Sequence, residues 1–444
     1  MLAHLFLIFL LFSKFGPSSQ QYFKCPERCQ CYEDHEQKLQ VHLICKWEQL
    51  NSTTFRNLQR PELVRTLTIR CPHHFPKVST PSPGLFQGFI NLDRLEIDRC
   101  QLEKIPNSIF SGLPQLISLI VKNAKLRELP AEVFAYIPKL MTLDLTGNKL
   151  RIEPHSIRSL HNLIHLDLSY NEIGFLTNTF IGLVKLKVIT MNSNRITNID
   201  FRRFPENLTD LSMRHNLISN IHYTSGSARN LKRLDLAGNQ IDFISSTTSG
   251  NVNVLPGELK HVDLSSNRLN SIYEGSMSHM KHLVLLDLKN NTLKEVRLSS
   301  LRGSKSQMKV FLSNNPLGCH CSHKWMTNSK SKNITVADLA TVTCTEVVQP
   351  YSKILLTLAE SRNLFLCKYS NMCEADCGCC EKSDCKCRFQ CPDSCECWRS
   401  SDTSNVKACQ KSATGSPCIL RKSYAHLPGA DMCTKCGRFT ACTA

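Results

Sequence analysis

The sequence predicts an α/β solenoid with a curved parallel sheet, disulfide-rich caps at its N- and C-terminal ends and a further cysteine-rich module after the second cap. Three observations lead to this fold class. An apolar motif recurs eleven times, cysteines cluster on both sides of the repeated region, and nine cysteines fall within residues 373–397. The 444 residues are sufficient for two or more folding units.

Residues 1–19 have the pattern of a secretory signal peptide. The apolar run at 5–12 is far shorter than the ~20 residues of a membrane span, and small and turn-forming residues follow it at 16–19. A buried amphipathic terminus is the alternative interpretation. No later segment is apolar enough to span a bilayer, and export places the 24 cysteines in an oxidising space. We therefore predict a chain that is secreted as given, or that belongs at the plasma membrane if it is a fragment of a receptor.

Residues 62–317 carry the repeated motif, which has the pattern L-x-x-L-x-L-x-x-N-x-L and is clear in LMTLDLTGNKL at 140–150. Most copies start 22 to 24 residues apart, and this is the leucine-rich repeat. The alternation of apolar positions predicts one short parallel strand in each copy. The recurrent asparagine is expected to satisfy backbone groups of the turn that follows. Cys100 and Ala124 replace it in two early copies, where we expect a weaker asparagine ladder.

The segments between the strands predict the rest of each coil. Three phenylalanines are expected to fill the space behind the sheet: Phe110, Phe134 and Phe180. Two copies are longer than the others because of the inserts at 72–84 and 245–257. We interpret both inserts as surface insertions that bulge from the solenoid, and loops that bind a partner are the alternative.

Cysteine-rich segments flank the repeats. Residues 20–61 contain the spacing C-x3-C-x-C-x13-C, and the motif NPLGCHCSHKW leads into residues 318–368. These segments resemble the N- and C-terminal caps of extracellular leucine-rich-repeat proteins, which cover the two ends of the hydrophobic core. The resemblance implies the disulfides Cys25–Cys31, Cys29–Cys45, Cys319–Cys344 and Cys321–Cys367. Cys71 and Cys100 fall near the same position of consecutive copies, and we predict a disulfide between them.

Residues 369–410 form a dense cysteine cluster whose last part, Cys391, Cys395, Cys397 and Cys409, repeats the spacing of the N-terminal cap. A C-terminal cap followed at once by such a motif resembles the ectodomain of invertebrate-type Toll receptors. The resemblance covers most of residues 20–410 and implies extracellular recognition in innate immune or developmental signalling. We favour a disulfide knot over a zinc or redox site because thiols pair in an oxidising space. Residues 411–444 show no repeat, and their structure is not predicted.

The variable positions of the repeats lie on the exposed face of the sheet, where solenoid proteins commonly bind partners. These positions carry ten Lys or Arg and nine Asp or Glu, so the net charge of +17 lies mostly elsewhere. The candidate ligand-binding residues are Arg94, Lys187, Arg214, Lys232, Arg233 and Lys260. Five aspartates at one motif position are expected to form an acidic column: Asp144, Asp167, Asp235, Asp263 and Asp287. Five apolar residues on the same face suit a protein ligand: Ile117, Ile120, Val188, Leu285 and Phe311.

The resemblance implies either a protein ligand, such as a cystine-knot cytokine, or a microbial product as the partner. Formation of a homodimer is a further prediction. A polyanion would contact the convex or flank surfaces, and nucleic acid is not expected on the sheet. Three histidines of this face are ordinary exposed residues or, as the alternative, an acid-sensitive switch: His165, His215 and His261. The glycosylation candidates are Asn51, Asn207, Asn290 and Asn333.

The sequence contains no HExxH, GxSxG or GxxxxGK[ST] motif, and we predict neither an enzyme nor a cofactor or metal site. The leading hypothesis is a soluble receptor or decoy that resembles a Toll receptor ectodomain. A secreted adhesion, guidance or matrix protein is the alternative, because such proteins share the same repeats and caps. A continuation that encodes a membrane span and a signalling domain would favour the receptor, whereas retention on matrix or heparin would favour the alternative.

Overall fold

The computed structural model describes residues 23–33, 40–51, 53–55, 57–72, 77–102, 104–246, 252–319, 323–327, 333–348 and 352–357. The chain divides into two units. The first comprises the residues up to Asn267 together with Met280–Leu283, and the second comprises Arg268–His279 and the residues from Val284 onward. The described residues of both units form coils of a parallel-sheet leucine-rich-repeat solenoid, which confirms this part of the predicted fold class. The predicted C-terminal cysteine-rich module lies outside the described residues.

The described part of the first unit contains strands β1 to β14. They are β1 (Cys29–Glu33), β2 (Val41–Lys46), β3 (Val64–Arg70), β4 (Arg94–Asp98), β5 (Ser118–Lys122), β6 (Thr142–Asp144), β7 (His165–Asp167), β8 (Val188–Thr190), β9 (Asn198–Asp200), β10 (Asp210–Ser212), β11 (Asn220–His222), β12 (Arg233–Asp235), β13 (Phe243–Ile244) and β14 (His261–Asp263). Strands β1 and β2 pair antiparallel. From β2 onward the pairs are parallel in the order β2-β3-β4-β5-β6-β7-β8-β10-β12-β14, and β9 pairs with β11 in a second parallel sheet.

The described part of the second unit contains β15 (Ser271–Ile272), β16 (Leu285–Asp287), α1 (Leu298–Leu301), β17 (Met308–Phe311), β18 (Leu317–Gly318), α2 (Lys324–Thr327), β19 (Ile334–Val336), β20 (Thr343–Val348) and β21 (Ser352–Thr357). Strands β16, β17 and β19 form parallel pairs, and β20 lies between a parallel partner, β18, and an antiparallel partner, β21. Among the described residues, no helix has the length and hydropathy that crossing a bilayer requires.

The register places equal motif positions of consecutive copies side by side. We number the motif from position 1, its first leucine, to position 11, and the residue before it is position 0. Leu143 pairs with Leu166, and Asp144 pairs with Asp167. Positions 4 and 6 are buried in every copy, because alternate residues of a strand point to opposite faces. Position 1 is buried in every copy except the last, where Gln307 is exposed. Behind the sheet, the rings of Phe86, Phe110 and Phe134 stack with centroids 6.2 and 6.4 Å apart, and Phe180 stacks on Phe204 at 6.0 Å.

The asparagine at position 9 links neighbouring coils, as the motif predicts. The Nδ2 group of Asn171 donates to the carbonyl oxygens of Leu145 (3.1 Å) and Leu168 (3.0 Å), and its Oδ1 accepts from the Leu150 N–H (3.0 Å). The same set of bonds recurs at Asn148, Asn194, Asn216, Asn239, Asn267 and Asn315. Each buried amide therefore satisfies backbone groups that would otherwise be unpaired.

In the two copies without this asparagine, other groups replace part of its bonding. The Leu102 N–H donates to the backbone oxygen of Ala124 at 2.8 Å. The Oδ1 of Asn148 accepts two bonds, from the N–H groups of Ala124 and Leu126, both at 3.1 Å. At Cys100 a disulfide to Cys71 covalently joins the two coils. The side chain of Ala124 supplies no amide donor, so at this copy the main chain replaces only the acceptor bond of the missing asparagine.

The residue at position 8 has a left-handed backbone in ten successive copies, with φ between 53° and 73°. These residues are Arg99, Asn123, Gly147, Tyr170, Ser193, His215, Gly238, Ser266, Asn290 and Asn314. The turn after each strand requires this conformation because the chain leaves the sheet there. Only two of the ten are glycines, so the fold imposes φ > 0 on residues that rarely adopt it alone.

Four disulfide bonds lie among the described residues. They join Cys25 to Cys31, Cys29 to Cys45, Cys71 to Cys100 and Cys319 to Cys344. Cys29 and Cys45 also face each other in the β1–β2 register. The other candidates, Cys321, Cys367, Cys391, Cys395, Cys397 and Cys409, lie outside the described residues, as do the cluster at 369–410, the tail and the signal segment. The domain boundaries stay predictions.

The insert at 245–257 does not bulge as a whole. Asn253, Val254 and Leu255 are buried. The Asn253 N–H donates to the Ile221 carbonyl oxygen at 2.7 Å, and its Oδ1 accepts from the Ile221 N–H at 2.8 Å. The interpretation of this insert as a bulging surface loop is therefore wrong for its second half, which packs against the coil before it.

One carboxyl group is buried behind the sheet. Glu153 is fully buried, its Oε1 accepts from the Thr177 N–H at 2.7 Å, and its Oε2 has no hydrogen-bond partner. Burial raises the pKa of Glu153, because the interior penalises the charged form more than the hydrogen bonds favour it. A raised pKa means that the folded state binds the proton more tightly than the unfolded state. Glu153 therefore adds stability as the pH falls through its folded pKa.

We expect Glu153→Gln to reduce the dependence of protein stability on pH in this range. The melting temperature of the variant should exceed that of the wild type at pH about 7.5, and the difference should shrink toward pH about 4.5, where the wild-type carboxyl is protonated. Thermal unfolding followed by circular dichroism across this range measures the effect. Glu128 is exposed, so Glu128→Gln is the matched control, and its melting temperature should equal that of the wild type at each pH. Parallel curves for wild type and Glu153→Gln would contradict the assignment.

Candidate ligand-binding face

The exposed face of the sheet in the first unit is the candidate site. In β12, Arg233 is exposed, Leu234 is buried and Asp235 is half-buried. The strands β4, β6, β7, β8, β10 and β14 likewise bury the residue at position 4 between more exposed neighbours, whereas β5 also buries Ile120. Most residues at positions 2, 3 and 5 and some at position 7 therefore contribute the surface, while positions 4 and 6 anchor it in the core.

The aspartates at position 5 form pairs rather than one column. In the first unit, Asp144 lies beside Asp167 and Asp235 lies beside Asp263 in the register. Two copies with hydroxyl residues at this position separate the pairs. Asp287 belongs to the second unit, where Phe311 is its register neighbour. The predicted continuous acidic column is thus interrupted.

Each of these aspartates also has a structural role. One oxygen, Oδ1, accepts a hydrogen bond from the N–H two residues later, at 2.8 to 3.1 Å. The five donors are Thr146, Ser169, Ala237, Ser265 and Lys289. This is an Asx turn, which ends the strand and starts the left-handed turn at position 8. The other oxygen, Oδ2, remains available for charged neighbours.

Basic residues at position 7 bind these second oxygens. Lys122 Nζ lies 2.8 Å from Asp144 Oδ2, and Arg214 Nη1 lies 2.9 Å from Asp235 Oδ2 and 3.6 Å from Asp263 Oδ2. Partial burial lowers the pKa of Lys122, but the hydrogen bond and charge of Asp144 and the further acidic neighbours outweigh it, so the pKa is raised. Burial, assisted by the charge of Asp263, raises the pKa of Asp235. Arg214 thus bridges an aspartate pair instead of being free for a ligand.

We expect Arg214→Gln to destabilise the protein more at neutral than at acid pH. The variant leaves two neighbouring carboxylates without their bridging cation, and the raised pKa of Asp235 means that protonation relieves this repulsion as the pH falls. Melting temperatures at pH about 7.5 and about 4.5 measure the difference. The control is Arg94→Gln, which removes one exposed ion pair and should cost less than about 1 kcal/mol at either pH. Equal losses for Arg214→Gln at both pH values would show that the bridge has no electrostatic role.

The other candidate residues occupy two regions. Arg94 lies on β4, where its Nη2 is 3.2 Å from Glu96 Oε2. Lys187, Lys232, Arg233 and Lys260 lie together near the start of β8, β12 and β14. The structure therefore brings four of the six candidates together where the strands begin. Arg94 lies on the same edge in an earlier coil, and Arg214 lies at the other end of the strands.

The four clustered residues differ in how far their charge is compensated. The Arg233 guanidinium pairs with Asp210, and Lys232 Nζ lies 3.6 Å from Glu258 Oε2. Lys187 and Lys260 are exposed and make no side-chain hydrogen bond or ion pair with any described residue. These two ammonium groups are the freest cations of the candidate set.

The apolar residues of the face follow the prediction only in part. Ile117 is 41% exposed, and Val188 is half-buried. Ile120 is 5% exposed and belongs to the core, which corrects its prediction as a surface residue. In the second unit, Leu285 and Phe311 are half-buried, and Lys289 Nζ lies 5.1 Å from the centre of the Phe311 ring.

Two apolar surface residues are not among those predicted from the sequence. Met141 is 43% exposed, and Ile164 is half-buried, and both occupy position 2 beside Ile117. The signal that could have found them is the motif column itself, because position 2 reads Ile, Met, Ile in three consecutive copies.

The histidines of the face do not meet. His165 and His261 lie on β7 and β14, which β8, β10 and β12 separate, and His215 occupies position 8 at the other end of its strand. A shared histidine switch has no geometric basis on this face.

The sequons occupy surface positions. Asn207, Asn290 and Asn333 are exposed, whereas Asn51 is half-buried and its Oδ1 accepts from Thr53 Oγ1 at 2.8 Å. Asn207 lies at position 0, where its Nδ2 donates to the Val184 carbonyl oxygen at 2.8 Å. Glycosylation of these residues stays a prediction.

Comparison with known proteins agrees with this fold. The family model described as Leucine rich repeat matches residues 90–150, 151–196 and 257–317, and a second one matches 227–242. The chain is 26% identical over 244 residues to Toll-like receptor 7 of Drosophila melanogaster, which covers 51% of this chain and 16% of that protein. It is 26% identical over 193 residues to the human oligodendrocyte-myelin glycoprotein, covering 38% and 44%.

Among solved structures, the Drosophila Toll–Spätzle complex superposes with a TM-score of 0.50 at 21% identity, over 67% of this chain and 44% of that chain. This likeness supports the fold alone. The chain matches less than half the length of both curated relatives. The repeats and these similarities describe an extracellular-type leucine-rich-repeat protein that is related to Toll-like receptors and to other leucine-rich-repeat glycoproteins.

Proposed function

We propose that this chain recognises a protein ligand outside the cell through the exposed face of its parallel sheet, in innate immune or developmental signalling. The observation that carries the proposal is the composition of that face. Exposed aliphatic side chains at position 2, Ile117 and Met141, belong to the same copies of the motif as charges that are held in a fixed ion pair, Lys122 with Asp144. Protein interfaces bury mixed surfaces of this kind.

The scaffold behind the face supports recognition without large rearrangement. Asparagines at position 9 and aspartates at position 5 fix both ends of each turn by hydrogen bonds. A surface that is ordered before binding loses little conformational entropy when a ligand docks. Affinity should therefore depend on complementary side chains rather than on folding of the receptor.

The ligand class proposed first is a cystine-knot cytokine. The solved complex of Toll with Spätzle is described as a hub of Drosophila development and innate immunity, and the chain resembles Toll in fold. A microbial product is the other class that the resemblance implies. The chain would act as a soluble receptor or decoy, or as the outer part of a membrane receptor if it continues beyond residue 444.

An adhesion or matrix role is the second candidate, and the flank charges favour it. Position 10 carries the exposed cations Lys125, Lys149 and Arg195 on one side of the sheet, with Glu172 between the last two. Such a row suits a sulfated polysaccharide. Relatives that include oligodendrocyte-myelin glycoprotein and keratocan share the repeats.

The test is calorimetric titration of the secreted, disulfide-bonded chain with defined probes. The probes are a processed cystine-knot cytokine, peptidoglycan fragments and a heparin fragment. The receptor proposal expects saturable binding of the cytokine, with a Kd in the micromolar range or below that changes little with salt. Binding of heparin alone, lost as salt rises, would replace it with the matrix role. Sedimentation of the free and bound chain reports whether a homodimer forms.

A further inference from the structure

Position 2 forms a continuous row along the edge of the sheet where the strands begin. From the third copy to the ninth this row reads Ile117, Met141, Ile164, Lys187, Thr209, Lys232 and Lys260, and Asp93 precedes Ile117 at the same position. The N–H of each residue donates to the carbonyl oxygen of the one before it, at 2.8 to 3.0 Å. Neighbouring strands are ~4.8 Å apart, so six steps give a row ~29 Å long. We call the seven residues other than Asp93 the edge row.

The first part of the edge row is apolar. Ile117 and Met141 are 41% and 43% exposed, and Ile164 is half-buried. Their neighbours at position 3 include Ser118 and Thr142, which carry no charge. Three exposed aliphatic side chains in adjacent coils form a contiguous patch, and patches of this kind mark contact sites on soluble proteins.

The second part of the edge row is basic. Lys187 and Lys260 are exposed without a described side-chain partner, and Lys232 makes one long contact of 3.6 Å with Glu258. At position 0, Lys139 and Lys185 extend the positive charge toward the apolar part. Their Nζ groups donate to the neutral amide oxygens of Gln115 (2.6 Å) and Asn162 (2.8 Å), so no acid compensates them.

The two ends of the strands differ in charge on the exposed face. From 115 to 261, positions 0, 2 and 3 carry six Lys or Arg and two acids, a net +4. From 120 to 265, positions 5 and 7 carry two basic residues and four aspartates, a net −2, and the cations at position 10 lie beyond them on the flank. A ligand with carboxylates that docks on the face is therefore attracted to the end where the strands begin and is disfavoured at the position-5 aspartates.

We propose that the edge row binds one extended segment of a protein ligand, with aliphatic residues against Ile117, Met141 and Ile164 and carboxylates against Lys187, Lys232 and Lys260. An extended segment of about nine residues spans ~29 Å. The inference rests on the proposed function. It specifies which residues of the face contact the ligand and which kind of ligand segment they bind. A polyanion would use only the basic half of the row, so the apolar half distinguishes a peptide from a polysaccharide.

The experiment measures binding of a labelled peptide to the full secreted chain by fluorescence anisotropy. The peptide has aliphatic residues in one half and glutamates in the other, and a matched peptide replaces the aliphatic residues with serine. We expect the first peptide to bind at least about fivefold more tightly than the second, because burying the aliphatic side chains adds on the order of 1 kcal/mol. Equal affinities would indicate a polyanion site and overturn the proposal.

Charge reversal locates the site. The variant Lys187→Glu, Lys232→Glu, Lys260→Glu should weaken binding of the first peptide by about tenfold or more. The control Lys125→Glu, Lys149→Glu, Arg195→Glu makes the same change in net charge on the other flank and should stay within about twofold. Circular dichroism verifies that both variants fold, and Met141→Ser, which keeps every charge, provides a second test with an expected loss of about threefold.

Titration with the cystine-knot cytokine distinguishes the edge-row proposal from the proposed receptor function. If the wild type binds the cytokine and the charge-reversal variant binds it equally well, the edge row is wrong while the receptor function stands. If the wild type binds the peptide through the edge row but no protein ligand, the receptor function is wrong while the edge row stands. If the wild type is a dimer that the charge-reversal variant dissociates, the occupant is a second copy of the chain, which overturns the proposal.

Discussion

Asn194→Ala is expected to lower the free energy of unfolding by about 1–3 kcal/mol, since it leaves the buried Ile173 N–H without a partner. It also removes one of the two amide donors from the Leu168 and Met191 carbonyl oxygens, which Asn171 and Asn216 still bond. The Nδ2 group of Asn194 donates to the carbonyl oxygens of Leu168 (3.0 Å) and Met191 (3.2 Å), and Oδ1 accepts from the Ile173 N–H (3.0 Å). Asn194 is 7% exposed, so water cannot easily replace these bonds. Urea denaturation followed by circular dichroism measures the loss.

Asn178→Ala is the matched control, because Asn178 is exposed in the coil before and makes only a long bond with Arg203. It should change the free energy of unfolding by less than about 0.5 kcal/mol. Asn194→Asp refines the test, because a carboxylate keeps the acceptor but loses both donors and buries a charge. It should be at least as destabilising as alanine. A small loss for Asn194→Ala would mean that the ladder contributes little to the fold.

Gly112→Ala is expected to destabilise the first unit by about 1–3 kcal/mol or more through overpacking. A Cβ at Gly112 would lie 2.1 Å from the backbone oxygen of Phe86 in the preceding coil. Backbone atoms cannot move aside as a side chain can, so the two coils must separate. The stacked rings of Phe86 and Phe110, 6.2 Å apart, would separate with them.

Gly182→Ala is the control at the same place in a later coil, two residues after the stacked Phe180. A Cβ there meets no atom within 4 Å. It should be neutral or slightly stabilising, because alanine reduces the freedom of the unfolded chain. Thermal unfolding of both variants under identical conditions makes the comparison. Equal effects of the two substitutions would show that the close approach of the coils at Gly112 is not a constraint.

Much of the fold follows from the sequence, because the motif positions encode it directly. The alternation around Leu143 predicts the strand, the spacing predicts the register, and the asparagine predicts the ladder. Phe110, Phe134 and Phe180 lie where their place between the strands predicts. These inferences succeed because each needs only a local pattern and its repetition.

The candidate face could be predicted less well, because it depends on contacts between coils. The position-5 aspartates look like a surface column in sequence, yet each uses one oxygen to end its own strand. The sequence gives no sign that Arg214 is paired, but in the structure its Nη1 lies 2.9 Å from Asp235 Oδ2. Ile120 occupies a surface position of the motif but is buried. The left-handed turn at position 8 is hidden because residues other than glycine, such as Tyr170, occupy eight of the ten positions.

Lysine footprinting tests most directly where the face binds. The secreted chain is acetylated with and without a saturating protein ligand, and mass spectrometry compares the modification of each lysine. We expect protection at Lys187, Lys232 and Lys260 and unchanged modification at Lys125 and Lys149 on the other flank. Protection at Lys125 and Lys149, with the other three unchanged, would contradict recognition by the exposed face of the sheet.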